Sequence, residues 1–332
     1  MSSHLLGASV QLRDLVQLRA ECGPWRRQAH RTAAPGGMQR TSRRGRGLEI
    51  EEIRAYQHGD DARDIDWRVT ARKGRAHTKV YREQREQPVL FALDLRSPMA
   101  FGSRDRFKSV AVAELFALQA WAALADEDRV GAVIASPAGI QNFAPQRSES
   151  AVLRLLAQVV RLTGAAAAEA ATPTTGDHGT CVAASLDALL AALSQHVRAG
   201  HRCVVISDFY DINAAATQRL QHIARLGETT CVLVYDRLEE ALPPPGNYAL
   251  LAAAGHAQLT LNSADGRLRT RYAERMAQRR EQLAALGRRS RVRIDELCVD
   301  EPVAKLLTRG NARTADAYRS TAARLPSAQQ EG

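Results

Sequence analysis

The sequence predicts an α/β chain built on an open, mostly parallel, doubly wound sheet, preceded by a small β-containing lead-in. Two observations carry this expectation. Short apolar runs recur at Val89 to Leu93, Val130 to Ala135, Cys203 to Ile206 and Cys231 to Tyr235, the pattern of strands buried on both faces. Between them, apolar residues return at helical spacing, first at Phe107, Ala111, Leu115, Leu118 and Ala122 and later at Val182, Leu186, Leu189, Leu193 and Val197. Each stripe would cover one face of the sheet.

In chain order, residues 9 to 22 read as a short helix through Val10, Leu15, Val16 and Leu18, ended by Pro24, Pro35, Gly36 and Gly37. With the Arg-rich linker that follows, they make a first region, 1–47. Residues 48–87 form the lead-in, where Ala76, Thr78 and Val80 alternate with His77, Lys79 and Tyr81. The α/β domain spans 88–300. It includes a basic helix from Gly266 to Leu286 and an edge-like strand through Val292 and Ile294. The alanine-rich stretch from Ala165 to Ala171, before Pro173 and Gly176, reads as a loop or lid. Residues 301–332 read as a C-terminal helix and a disordered polar tail.

Composition narrows the class. A hydrophobic fraction of 45% and a charged fraction of 25% fit a soluble globular protein. Cys22, Cys181, Cys203, Cys231 and Cys298 are odd in number and form no C-x-x-C pair, which argues for a reducing compartment and against disulfides or structural zinc. The longest apolar run, Leu115 to Ala125, is interrupted by Gln119 and falls short of the roughly 20 residues a membrane span needs. Arg13, Asp14 and Arg19 interrupt the first apolar stretch, so no secretory signal is expected, and the expected location is the cytoplasm. The net charge of +10 is concentrated at two places. Residues 1–47 hold nine Arg against Asp14 and Glu21, and residues 267–293 hold ten against Glu274 and Glu281. Such segments are solvated faces, or they meet an acidic protein, an anionic lipid or a nucleic acid.

Three predicted strands end in acids: Asp94, Asp208 and Asp236. In doubly wound sheets ligands bind outside the carboxyl ends of the strands, and converging carboxylates with the Thr180 hydroxyl would suit a hard divalent cation. Alternatively, each acid caps the segment that follows it. The strand ending in Asp94, Thr180 opening a helix, and Asp208 within V-V-I-S-D-F together resemble the von Willebrand factor A-type domain. In that family a D-x-S-x-S segment, a Thr and a second Asp form a metal-ion-dependent adhesion site. Here Arg96 and Pro98 stand at the two Ser positions, with Ser97 out of phase. A guanidinium beside Asp94 repels a cation and competes for the same carboxylates. The site is therefore expected to be degenerate and to hold no magnesium or other metal. Either Arg96 replaces the ion by bridging Asp94 and Asp208, or it points to solvent.

The densest motif is R-A-Y-Q-H-G-D-D-A-R-D-I-D-W-R-V-T-A-R, from Arg54 to Arg72. Gly59, Asp60 and Asp61 make a turn signature. Asp64 and Asp66 flank Ile65 among Arg63, Arg68 and Arg72, as in an ion-pair network around a buried anchor, Trp67. The motif also includes Tyr56. Together with R-G-R-G-L-E-I-E-E-I-R before it and D-L-R-S-P-M-A-F-G after it, it resembles the bacterial domain of unknown function 58 family over roughly Gly45 to Leu261. That resemblance implies a von Willebrand A-type domain whose gene neighbours that of a MoxR-type AAA ATPase.

No G-x-x-x-x-G-K-[ST], H-E-x-x-H or G-x-S-x-G motif is present. The expected function is non-enzymatic and cofactor-free. What the family resemblance implies is an adaptor or assembly factor acting with a MoxR-type ATPase on a client complex, through the Gly59 to Trp67 loop, the loops around Asp94, Ser97 and Phe101, and the basic helix. The alternative is a nucleic-acid-binding protein using its two basic segments; the scarcity of interleaved aromatics weighs against it.

Overall fold

The computed structural model describes residues 4–26, 48–57, 60–83, 87–171, 184–251 and 258–307. Gly59, Thr180, Cys181, the Arg-rich linker and the polar tail lie outside the described residues. The chain divides into two units, residues 31–86 and the rest.

The first helix, α1 (Leu12–Gln17), continues as a 3-10 turn over Leu18–Glu21. Leu15, Leu18, Cys22 and Trp25 are buried in the same cluster as the large domain's core. The indole N–H of Trp121 donates to the Leu15 carbonyl at 3.0 Å. The segment placed in a separate N-terminal region on sequence grounds thus belongs to the large unit, because that unit is what covers its apolar stripe.

In the small unit, β1 (Leu48–Ala55) pairs antiparallel with β2 (His77–Glu83), with a bulge between Ile50 and Glu52. Between them lies α2 (Trp67–Lys73).

The large unit begins with β3 (Val89–Asp94), in which every residue is buried. Val89, Phe91 and Leu93 enter one core cluster and Leu90 and Ala92 the other, which is why the strand reads as an unbroken apolar run. There follow α3 (Lys108–Ala125), β4 (Val130–Ser136), β5 (Gly139–Gln146), α4 (Glu149–Ala171), α5 (Leu186–His196) and β6 (Arg202–Ser207). The chain continues through α6 (Ala214–Leu226), β7 (Glu228–Tyr235), the short α7 (Arg237–Glu240), the hairpin β8 (Asn247–Leu251) and β9 (Gln258–Asn262), α8 (Gly266–Arg289) and β10 (Val292–Cys298).

The main sheet runs β10-β7-β6-β3-β4-β5, with β5 alone antiparallel. Helices α1, α3 and α4, with Val303 and Leu306, cover one face, and α5, α6 and α8 cover the other. The fold is the expected doubly wound α/β architecture. Strand β3 pairs with β4 on one side and with β6 on the other, so the order reverses between β3 and β6. A ligand crevice forms at such a point, beyond the carboxyl ends of the strands.

Two local expectations need correction. Residues 165–171 continue α4 rather than forming a loop, as the high helix propensity of alanine favours. Strand β5 and most of α4 had not been anticipated; burial along β5 alternates only between intermediate and exposed, a weak signal for an edge strand. Helix α3 and residues 149–168 of α4 are long and apolar enough to cross a membrane, and 83% of the first and 44% of the second are buried inside the domain. A helix enclosed by sheet and neighbouring helices has to be apolar all round.

Candidate functional site

Strand β3 delivers Asp94, fully buried, to the reversal point of the sheet. Its carboxylate is gripped by Arg96, whose Nε and Nη2 donate to Asp94 Oδ1 at 2.8 Å and Oδ2 at 2.7 Å. The same guanidinium forks onto Asp211, with Nη1 and Nη2 at 2.8 and 2.9 Å, and Nη1 also donates to the Ala184 carbonyl at 3.0 Å. All five N–H groups of the guanidinium are used. Ser207, the last residue of β6, donates its hydroxyl to Asp94 Oδ2 at 2.7 Å and accepts from the Phe209 amide. The Leu186 amide, at the start of α5, donates to Asp211 at 2.9 Å. One side chain therefore ties together the ends of β3 and β6 and the beginning of α5.

Burial works against the Arg96 charge, but hydrogen bonds to Asp94 and Asp211 outweigh it and raise its pKa. At Asp211, burial pushes the carboxyl up; hydrogen bonds from Arg96 and the Leu186 amide prevail, and its pKa is lowered.

A second ion pair lies beside this one. The Lys108 ammonium, at the start of α3, donates to Asp208 Oδ2 and Glu239 Oε1, both at 2.8 Å. Burial disfavours its charge, and the two carboxylates more than offset that, so its pKa is raised. The third strand-end acid, Asp236, forms a capping box with Glu239 on α7 and accepts from the Ser103 amide and hydroxyl at 2.8 and 2.7 Å. The loop carrying Ser103 is fixed at its base by buried Arg106, which pairs with Glu114 and donates to the Val299 and Glu301 carbonyls at 2.8 Å. Burial raises the Glu114 pKa against the opposing pull of Arg106. Gly102 is required here because a Cβ would lie 1.9 Å from the Arg106 carbonyl oxygen.

The three strand-end acids thus have separate partners instead of converging on one ion. Among the described residues, no group of three His, Cys, Asp or Glu side chains is placed to hold a metal. Arg96 does turn inward, its side chain only 11% exposed, but its second carboxylate is Asp211 and not Asp208, which belongs to Lys108. The chain turns between them at Phe209, a buried non-glycine residue with φ of 50°. Such backbone is strained and persists when its surroundings hold it. Ser97 and Pro98 are exposed on a 3-10 turn. Phe101 and Tyr210, 40% and 57% exposed, flank the Lys108 and Asp208 pair: the Lys108 ammonium lies 5.9 Å from the Phe101 ring, and the Tyr210 amide donates to Asp208 at 3.0 Å. Lys108, Asp211 and Tyr210 were not singled out on sequence grounds. A lone Lys at the mouth of a mostly apolar helix was the available signal for the first.

In the small unit the acidic motif proves to be a series of local caps. Asp60 accepts from Arg54 Nη2 at 2.7 Å and from the Gln57 amide at 2.9 Å, and its carbonyl accepts from the Tyr56 hydroxyl. Asp61 accepts from the Arg63 amide, and Asp66 caps α2 through the Arg68 and Val69 amides at 3.0 and 3.1 Å. Arg63, Arg68 and Arg72 are exposed, and Asp64 is half-buried. Trp67 is no buried anchor. It is 70% exposed, as the first residue of a short helix in a unit whose described residues make only one two-stranded sheet.

The profile of the family described as protein of unknown function DUF58 matches residues 52–282. This chain belongs to the DUF58 family. It is 28% identical over 212 residues to uncharacterized proteins of Mycobacterium bovis and Mycobacterium tuberculosis, an overlap of 62% of this chain and 61% of each relative. The chain thus spans about three-fifths of the length of these relatives. The DUF58 match takes in the capped motif, the Arg96 clasp, the Lys108 pair and most of α8, while α1 and β10 lie outside it.

Proposed function

We propose that this DUF58 protein is a non-enzymatic docking adaptor of the von Willebrand A-like kind, working in the cytoplasm with a MoxR-type AAA ATPase on a client protein complex. The observation that carries this reading is the Arg96 clasp. At the point where doubly wound sheets receive ligands, the protein's own guanidinium takes up the carboxylates that would otherwise hold a cation. The crevice is thereby closed to small ligands and its loops are held rigid, while Phe101 and Tyr210 stay exposed on its rim. Rigid loops with exposed aromatic side chains suit protein recognition, because little ordering entropy remains to be lost on binding.

The test is reconstitution of the full-length protein with a MoxR-type ATPase from the same organism, followed by size-exclusion chromatography with ADP and with a non-hydrolysable ATP analogue. A complex in at least one nucleotide state, weakened by Phe101→Asp or Tyr210→Asp, is the expected result. Absence of any complex in both states would overturn the reading.

A further inference from the structure

We propose that the DUF58 protein receives an acidic segment of its protein partner along one row of arginines on α8, ending at the aromatic rim of the crevice; this rests on the docking function proposed above. Arg267, Arg271, Arg275 and Arg279 recur at every fourth position. They form a single row about 18 Å long on one side of the helix. The first three are exposed, and among the described residues no carboxylate pairs with their side chains. The fourth marks where the row ends: Arg279 Nη1 donates to the Asp208 carbonyl at 3.2 Å, and its guanidinium lies 5.2 Å from the Tyr210 ring. Other arginines of α8 are engaged within the domain. Arg269 donates to the Pro243 and Ser263 carbonyls, and Arg280 pairs with Glu240.

The arrangement selects the class of partner. The adjoining row on the solvent side reads Thr270, Glu274, Gln278, Gln282, so the positive charge forms a line and not a broad patch. A nucleic acid backbone engages arginines spread over a wider surface, together with stacking aromatics. A peptide with carboxylates every fourth residue matches the line one for one, with each guanidinium able to fork onto a carboxylate. Phe101 and Tyr210, at the crevice end, would take an apolar residue following the acids.

The experiment measures fluorescence anisotropy of a labelled helical peptide of about 16 residues, with glutamate at every fourth position and a terminal leucine pair, titrated with the full-length protein at about 50 mM salt. A scrambled peptide of the same composition, a single-stranded DNA and a duplex DNA serve as comparators. The patterned peptide should bind most tightly, with affinity falling at least about tenfold in Arg267→Glu/Arg271→Glu/Arg275→Glu and falling also as salt is raised. These positions are exposed, and an unchanged unfolding midpoint of the variant verifies its fold. Equal binding of the scrambled peptide, undiminished binding by the triple variant, tighter binding of either DNA, or no peptide binding would each overturn it. If the peptide fails while the ATPase complex forms, only the acidic-segment inference falls. If the ATPase complex fails while the peptide binds, it is the choice of partner that is wrong.

Discussion

The ammonium of Lys108 lies 2.8 Å from the Asp208 carboxylate, and both side chains are 1% exposed. Glu239 completes the group at the same distance from the ammonium. Because burial opposes the Lys108 charge, the ammonium is held only with its two carboxylates in place.

Replacing Lys108 by Met leaves Asp208 and Glu239 facing each other without a cation. Breaking a buried pair from one side costs about 3–5 kcal/mol, and urea unfolding should show a loss of that order. Adding Asp208→Asn should restore part of it. A loss below about 1 kcal/mol would show that the pair contributes no more than a surface one.

Arg96→Lys keeps the charge and removes the fork. A lysine ammonium has three donors on one atom and cannot bind Asp94 and Asp211 bidentately while also reaching the Ala184 carbonyl. Thermal unfolding should show a loss of about 2 kcal/mol or more, and Arg96→Ala should lose more than that. Equal stability of the lysine variant and the parent would mean that charge alone suffices.

The lowered pKa of Asp211 fixes the sign of an acid effect. A carboxyl whose folded pKa is depressed contributes stability that is fully present above its ordinary value of 3.8 and is lost as pH falls through the lower, folded value. The parent should therefore lose stability steeply below pH 3.8. Asp211→Asn should start less stable at neutral pH and fall less steeply in that window. Parallel curves for the two would exclude Asp211 as a contributor.

Cys203 and Cys231 are buried in the second core cluster. Burial pushes the Cys203 thiol up to about 12 and raises Cys231 as well. At pH 8 the Cys203 thiolate fraction is on the order of one in ten thousand. Both thiols should react with a disulfide reagent only at denaturant concentrations that unfold the protein, as peptide mapping of the labelled cysteines would show. Labelling under native conditions would point to local opening of β6 and β7.

How far the sequence could be read depended on whether a feature rested on local pattern or on the path of the chain. The run Val89 to Leu93 placed Asp94 correctly, because a strand buried on both faces has no other composition open to it. Charge beside a buried carboxylate left two courses open to Arg96, a bridge between carboxylates or a solvent-facing side chain, and local pattern did not choose between them. The second partner of Arg96 did not follow either, because Phe209 adopts left-handed backbone without the glycine or asparagine that announces it, and Asp211 takes the place expected of Asp208. Trp67 failed for the opposite reason: a large aromatic side chain is usually buried, but whether it is covered depends on layers that a local motif does not encode.

The cation at the heart of the crevice is covalently tethered to the chain. A metal ion in that position would have a dissociation rate, would follow the divalent concentration of its surroundings, and could be stripped by a chelator. Arg96 has none of these properties, since the backbone carries it and five hydrogen bonds hold its guanidinium in place. The loops it joins are thus set in one geometry from the moment the domain folds. That geometry does not follow the divalent-cation concentration of the medium.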